Sequence, residues 1–268
     1  MKKIAFLFLI RDTINHERLW NDFFKDIDES KYTILINYKE DKRLEYLNEY
    51  KLSNPIKDTK HGDISLVKAQ LLLLEEALKD KDVVKMIFIS ESCIPLKSFD
   101  YVYDKLTMDD KSYLHECKQA ECMDRNRCLG LKGHYTGDRH KSSQWCILNR
   151  KHSEQCLMEK DNNLKIFSRI PSPDEHYFIM IIKNMNNCKS RESNNEIYCT
   201  LDEELKGDPG ATTFVNWGKK EYKFYEPLNR IPKEYEKISN EELEYLLNSE
   251  SLFARKFSKN CILNISNK

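Results

Sequence analysis

The chain has 268 residues, with 44 basic and 44 acidic side chains and a formal net charge of zero, so it lacks the one-signed field that recruits nucleic acid. Hydrophobic residues make up 40% and aromatics 11%, which supports a substantial core and excludes wholesale disorder, while 7 Gly and 7 Pro exclude collagen-like or low-complexity sequence. The length suits one large domain, 1–268, better than two small ones.

The chain opens MKKIAFLFLIRD. Two lysines before a short apolar run look like a signal peptide, but Arg11 and Asp12 follow at once and no small-residue cleavage site is present, so the run reads as a buried strand over 3–10. The segments 32–37 (YTILIN) and 83–90 (VVKMIFIS) are similar short apolar runs, as expected of parallel strands covered on both faces. Between the first two, Leu19, Trp20, Phe23, Phe24 and Ile27 recur at helical spacing. Ile64, Val67, Leu71, Leu74 and Leu78 do the same behind a capping Asp63. Strand, helix, strand, helix, strand predicts an α/β fold with a mostly parallel central sheet and helices on both faces, where ligands bind beyond the carboxyl ends of the strands. Ser90 to Cys93 fall at such an end.

From Glu116 to Lys141 the sequence is polar and irregular, as a substrate loop would be. SSQWCILN (142–149) reads as a further strand leading into a helix near 151–159. Pro173 is placed to open a helix continued by DEHYFIMIIKNM, with Asp174 and Glu175 at its N-terminus. KSRESNN (189–195) and LKGDPGA (205–211) are turns, TTFVNW (212–217) is strand-like, and Ser239 with Glu242 predicts a capping box for EELEYLLN. No apolar stretch after the first strand reaches the roughly 18 residues of a membrane helix, which predicts a soluble, cytoplasmic protein without a transmembrane segment.

Nine cysteines, at 93, 117, 122, 128, 146, 156, 188, 199 and 261, contain no CxxC pair and cannot all be paired, so reduced thiols are expected. Cys117, Cys122, Cys128, His134 and His140 come nearest to a metal cluster, but their spacing matches no common zinc module. Singly, the remaining motifs are bland. An Asp-Glu pair in a first helical turn suits the helix dipole, SESC can cap the next helix, and FARKF can be a strand with a solvated basic pair.

In their order along the chain, KIAFLFLIRD, HGDISLVKAQLLLLEEAL, SESCIPLKSFDYVYDKL, SSQWCILNR, PSPDEHYF, TTFVNW and SLFARKF resemble the Core-2/I-branching glycosyltransferase family and its plant Branch-domain relatives. The resemblance implies a glycosyltransferase-A-type, Rossmann-like single domain, with a nucleotide-sugar half over 1–110 and an acceptor half over 111–268. It implies inverting, metal-independent transfer of a sugar, N-acetylglucosamine first and xylose or glucose as alternatives, from a UDP donor to a glycan or glycoprotein acceptor. No cofactor is implied beyond the UDP-sugar, and the third strand ends Ser90-Glu91-Ser92-Cys93 without an Asp-x-Asp pair for a cation. The rival reading is a non-catalytic carbohydrate- or nucleotide-binding protein on the same fold.

Carried over by motif, Glu175 falls on the family's catalytic base and Asp174 orients the start of the helix. Lys256 falls on the diphosphate-binding lysine, with Arg230 as its candidate basic partner ahead of Lys219 and Lys220. Arg11, Asn37 and Glu91, after or at the ends of the first three strands, are further donor-side candidates. Asn37 stands where relatives carry an Asp near the uridine. Glu116, Arg125 and Arg127 are acceptor-side candidates, and Trp217 matches an aromatic that stacks on acceptor sugar.

Overall fold

The computed structural model describes residues 1–116, 129–131, 140–187, 198–200, 212–218, 222–226, 228 and 231–265. Strands β1 (Lys3–Ile10), β2 (Tyr32–Tyr38) and β3 (Val83–Ser90) run parallel with β1 in the middle, Phe6 facing Ile34 on one side and Ile87 on the other. Alternation along β1 decides which helix each residue meets. Phe6 and Phe8 join Trp20 and Phe24 of α1 (Glu17–Phe24), with Phe8 and Trp20 edge to face at 5.0 Å. Ala5 and Leu7 point the other way, into a core with Val67, Leu71 and Leu74 of α2 (Ile64–Leu78). Asp63 caps α2 as its position predicts, its carboxylate accepting from the Ser65 N–H at 2.9 Å. Burying each of these large apolar side chains contributes about 1.5–3 kcal/mol.

The sheet extends beyond β3 through β6 (Ile147–Asn149), β5 (Ser112–Leu114) and β7 (Tyr198–Thr200), in the order β2-β1-β3-β6-β5-β7. Among the described strands β6 alone runs against the rest, so the sheet is mixed but mostly parallel. A second sheet, β4-β9-β8, is made of β4 (Ile94–Pro95), β8 (Thr213–Val215) and β9 (Phe253–Arg255). The remaining helices are α3 (Phe99–Thr107), α4 (Arg150–Met158), α5 (Lys160–Phe167), α6 (Tyr177–Asn187) and α7 (Asn240–Leu247). Among the described residues no helix is long and apolar enough to cross a membrane. Cys93, Cys146, Cys156 and Cys261 are buried free thiols.

The structure differs from the sequence reading at several places. Only the last three residues of 142–149 form strand, because Ser142 instead bridges Glu116. The helix expected from Pro173 is broken: Pro173–Glu175 forms a single 3₁₀ turn, His176 departs from helical geometry, and α6 starts at Tyr177. Asp174 and Glu175 therefore stand in a turn ahead of the helix. At α7, Ser239 Oγ accepts from the Glu242 N–H at 3.1 Å, but the Glu242 carboxylate accepts the hydroxyls of Tyr222 at 3.0 Å and Tyr235 at 2.7 Å. Two buried phenols recruit that carboxylate inward, which the capping-box pattern does not anticipate.

Candidate active site

Beyond the carboxyl ends of β1 and β3, three chain segments are stitched together. Asn15 N–H donates to the Glu91 carbonyl at 2.9 Å, and its side-chain amide donates to the Phe257 carbonyl at 2.7 Å. Phe257 N–H donates to the Ser92 carbonyl at 2.9 Å, and His16 Nε2 lies 2.9 Å from the Ser258 carbonyl. These bonds bring the chain after β9 to the strand ends where a doubly wound sheet binds ligands.

Arg255 and Lys256 thereby stand beside Glu91. The Arg255 guanidinium lies over the Trp145 ring at 4.4 Å, and its Nε is buried with no hydrogen-bond partner. Among the described residues neither Arg255 nor Lys256 makes an ion pair. Burial lowers the pKa of both, and for Lys256 the Arg255 charge adds to that, while Glu91 and Glu234 oppose it. Glu91 moves the other way: burial raises its pKa, against the pull of Arg255 and Lys256. Desolvated cations with donors to spare favour an anion that can take several hydrogen bonds at once.

A second group of charges is built around the 173–175 turn. Ser172 takes the left-handed conformation (φ 50°) that lets its N–H reach the Gly62 carbonyl at 3.1 Å, and the Glu175 N–H returns to the Ser172 carbonyl at 3.0 Å. Ser142 N–H donates to the Glu175 carbonyl at 2.8 Å, and Lys141 Nζ sits 3.0 Å from Glu175 Oε2. Asp174 is 8% exposed with an unpartnered Oδ1. Its pKa is raised to about 6, first by burial and then by Glu175, against His61 and Lys141. Glu116 is close by through its bridge to Ser142; its two carboxylate oxygens meet His140 Nδ1 and Lys183 Nζ, each at 2.5 Å. Burial pushes Glu116 up, but those two partners outweigh it and hold the carboxyl below its usual range.

The two groups share one stretch of chain. Lys141 touches Glu175, and Trp145, four residues on, lies under Arg255, a Cα span of at most ~14 Å even if fully extended. A carboxylate and a pair of cations joined by one stretch of chain suit proton abstraction at one end and anion binding at the other. Among the described residues, no group of three or more His, Cys, Asp or Glu is placed to hold a metal ion.

Residues 4–246 match the family model of the Core-2/I-Branching enzyme. The chain belongs to this family. A curated relative, the protein named Glycosyltransferase BC10 of Oryza sativa subsp. japonica, is 26% identical over 166 residues, 59% of this chain and 41% of the rice protein. The match thus spans less than half the length of that relative. Among solved structures, the apo form of the WbbM bifunctional glycosyltransferase aligns with 95% of this chain and 46% of its own, at a TM-score of 0.45 and 10% identity.

In this Core-2/I-branching member the other residues singled out by sequence are dispersed. Arg11 is exposed and pairs with Glu40 at 3.1 Å. Asn37 is fully buried, its amide donating to the Ile56 carbonyl at 3.0 Å and accepting the Ile56 N–H at 2.8 Å, so the side chain secures the loop after β2. Trp217 is 46% exposed on the loop after β8, beside Gly218 at φ 65°. Arg125, Arg127, Arg230, Lys219 and Lys220 lie outside the described residues, as do Cys117, Cys122, Cys128 and His134. Sequence reasoning missed Lys141, Lys183, Trp145 and Arg255, and weighed His140 only as a metal ligand, whereas its ring meets Glu116. The reading of FARKF as a solvated basic pair is corrected, because Trp145 covers the Arg255 guanidinium. A basic residue adjoining a motif lysine was the available signal, but only folding reveals the ring beneath it.

Proposed function

We propose that this chain is an inverting glycosyltransferase that moves a sugar, N-acetylglucosamine first, from a UDP donor to a hydroxyl of a glycan or glycoprotein without a divalent metal. The observation that carries the reading is the segment with Lys141 on Glu175 at one end and Trp145 under Arg255 at the other. Glu175 takes the proton of the acceptor hydroxyl as its oxygen attacks the anomeric carbon; the bond to the diphosphate breaks on the opposite face and UDP leaves with the electron pair. Lys256 and Arg255 bind that diphosphate and offset the charge that develops on it, the part a cation plays in metal-dependent relatives of such chemistry. Glu116, with Arg125 and Arg127 of the loop that follows, receives acceptor hydroxyls. The exposed ring of Trp217 offers an apolar face to a pyranose.

Membership of the Core-2/I-branching family and the name of the rice relative support glycosyl transfer. The donor sugar is decided by a panel: UDP-N-acetylglucosamine, UDP-xylose and UDP-glucose, each with and without glycan acceptors, monitored for UDP release. Acceptor-stimulated release from one of them is expected. UDP binding without turnover of any donor would favour a non-catalytic binder, and no UDP binding would overturn the nucleotide reading.

A further inference from the structure

We propose that Lys141 is a positioning residue for the base, fixing one oxygen of the Glu175 carboxylate so that the other faces the acceptor; this rests on Glu175 accepting the acceptor proton. Both side chains are largely withdrawn from solvent, with exposures of 18% for Lys141 and 25% for Glu175, so the pair is not the weak, screened contact of a surface. Lys141 engages Oε2 at 3.0 Å. Among the described residues Oε1 has no partner.

The backbone supports the same geometry. Ser142 N–H grips the Glu175 carbonyl at 2.8 Å and the Glu175 N–H is bound to Ser172 at 3.0 Å, so neither the glutamate nor its lysine is carried on a free loop. The neighbouring residue His140 holds Glu116 at 2.5 Å. Successive residues of one strap thus fix the candidate base and the candidate acceptor carboxylate relative to each other. Glu175 and Asp174 stand side by side in the turn ahead of α6, so their two carboxylates call for a nearby positive charge. Lys141 supplies it, paired with Glu175 and near enough to act on Asp174, which His61 also influences. In the reaction the hydroxyl proton passes to Oε1, the new C1–O bond forms, and the C1–O bond to the β-phosphate breaks with its electrons leaving on UDP. Lys141 keeps its own proton throughout.

A residue that orients the base acts on turnover and leaves nucleotide binding alone. The test measures UDP release from UDP-N-acetylglucosamine, UDP-xylose and UDP-glucose, with and without glycan acceptors, and UDP binding by calorimetry, for wild type, Lys141→Met, Lys141→Gln, Lys141→Arg and Glu175→Gln. Loss of orientation is expected to lower kcat by about 10- to 100-fold in Lys141→Met and Lys141→Gln. The donor KM and the UDP Kd should stay within about twofold, and Lys141→Arg should recover most of kcat because charge and reach persist. If Lys141→Met or Lys141→Gln keeps kcat within about threefold of wild type while Glu175→Gln is inactive, the inference fails and the base assignment stands. Equal losses in kcat and UDP affinity, with no rescue by arginine, would mark Lys141 as merely structural. An active Glu175→Gln, or no UDP release from any donor by wild type, removes the base reading and this inference with it.

Discussion

The Tyr235 hydroxyl lies 3.2 Å from the Asn216 side-chain amide, which donates to it, while the same hydroxyl donates to the buried Glu242 carboxylate at 2.7 Å. Asn216 precedes Trp217, and the Tyr235 N–H donates to the Lys256 carbonyl at 2.7 Å. One residue therefore ties the two candidate groups together, its phenol to the residue before Trp217 and its backbone N–H to Lys256. Tyr235→Phe keeps the N–H bond to Lys256 but loses the phenol, so it is expected to weaken glycan binding severalfold, to change UDP binding less, and to cost roughly 1–3 kcal/mol of stability because Glu242 and Asn216 lose a buried partner. Calorimetry with each ligand and a thermal melt check this. A lower melting temperature with both affinities intact would mean that the network supports the fold alone.

Gly218 makes the turn after Trp217 possible. At φ 65° a Cβ would stand 2.6 Å from the Glu226 carbonyl oxygen, and the Gly218 N–H is already bound to Asn216 Oδ1 at 2.8 Å. Gly218→Ala is expected to lose about 1–2 kcal/mol from the left-handed backbone alone, more from the clash, and to weaken glycan binding while UDP binding persists. Equal affinity for glycan in the variant and in wild type would separate the loop from the acceptor.

Asp174 gives a signed pH dependence. Its carboxyl, raised from 3.8 to about 6 by burial, holds its proton more tightly in the folded chain than in the unfolded one. Its contribution to stability is therefore full below 3.8 and lost as pH rises through about 6, a swing of at most about 3 kcal/mol. Asp174→Asn, which cannot ionise, should melt higher than wild type at pH 8 and close to wild type at pH 4. A constant offset between the two curves across that range would show that the carboxyl does not titrate as described.

The cations Arg255 and Lys256 predict that UDP binds equally well in EDTA and in Mn²⁺. A calorimetric signal seen only with added Mn²⁺ would contradict a metal-independent site.

The three parallel strands β1–β3 were legible because they are short continuous apolar runs separated by segments that repeat apolar residues at helical spacing, whereas the three-residue strands β5 and β7 leave no such run. The break at His176 was not, since Pro173 and the apolar run after it satisfy every local rule for one helix, and it is the distant carbonyl of Gly62 that holds Ser172 left-handed. The same limit governs the site. Glu175 and Lys256 were singled out through motifs, whereas Lys141, Trp145 and Arg255 acquire meaning only from contacts that fold distant segments together. Asn37 shows the converse: its place at a strand end suggested a ligand, and folding adds a structural role that no local pattern shows, one donor and one acceptor bond to the backbone of Ile56.

The most direct test of the account is Glu175→Gln, assayed for sugar transfer and for UDP binding in the same preparation. The amide is nearly isosteric and leaves the turn intact, but it cannot take a hydroxyl proton. Transfer is expected to fall by about 10²- to 10⁴-fold with UDP affinity nearly unchanged. A variant that keeps more than about a tenth of wild-type transfer would contradict the assignment, since losing general-base catalysis costs far more than that.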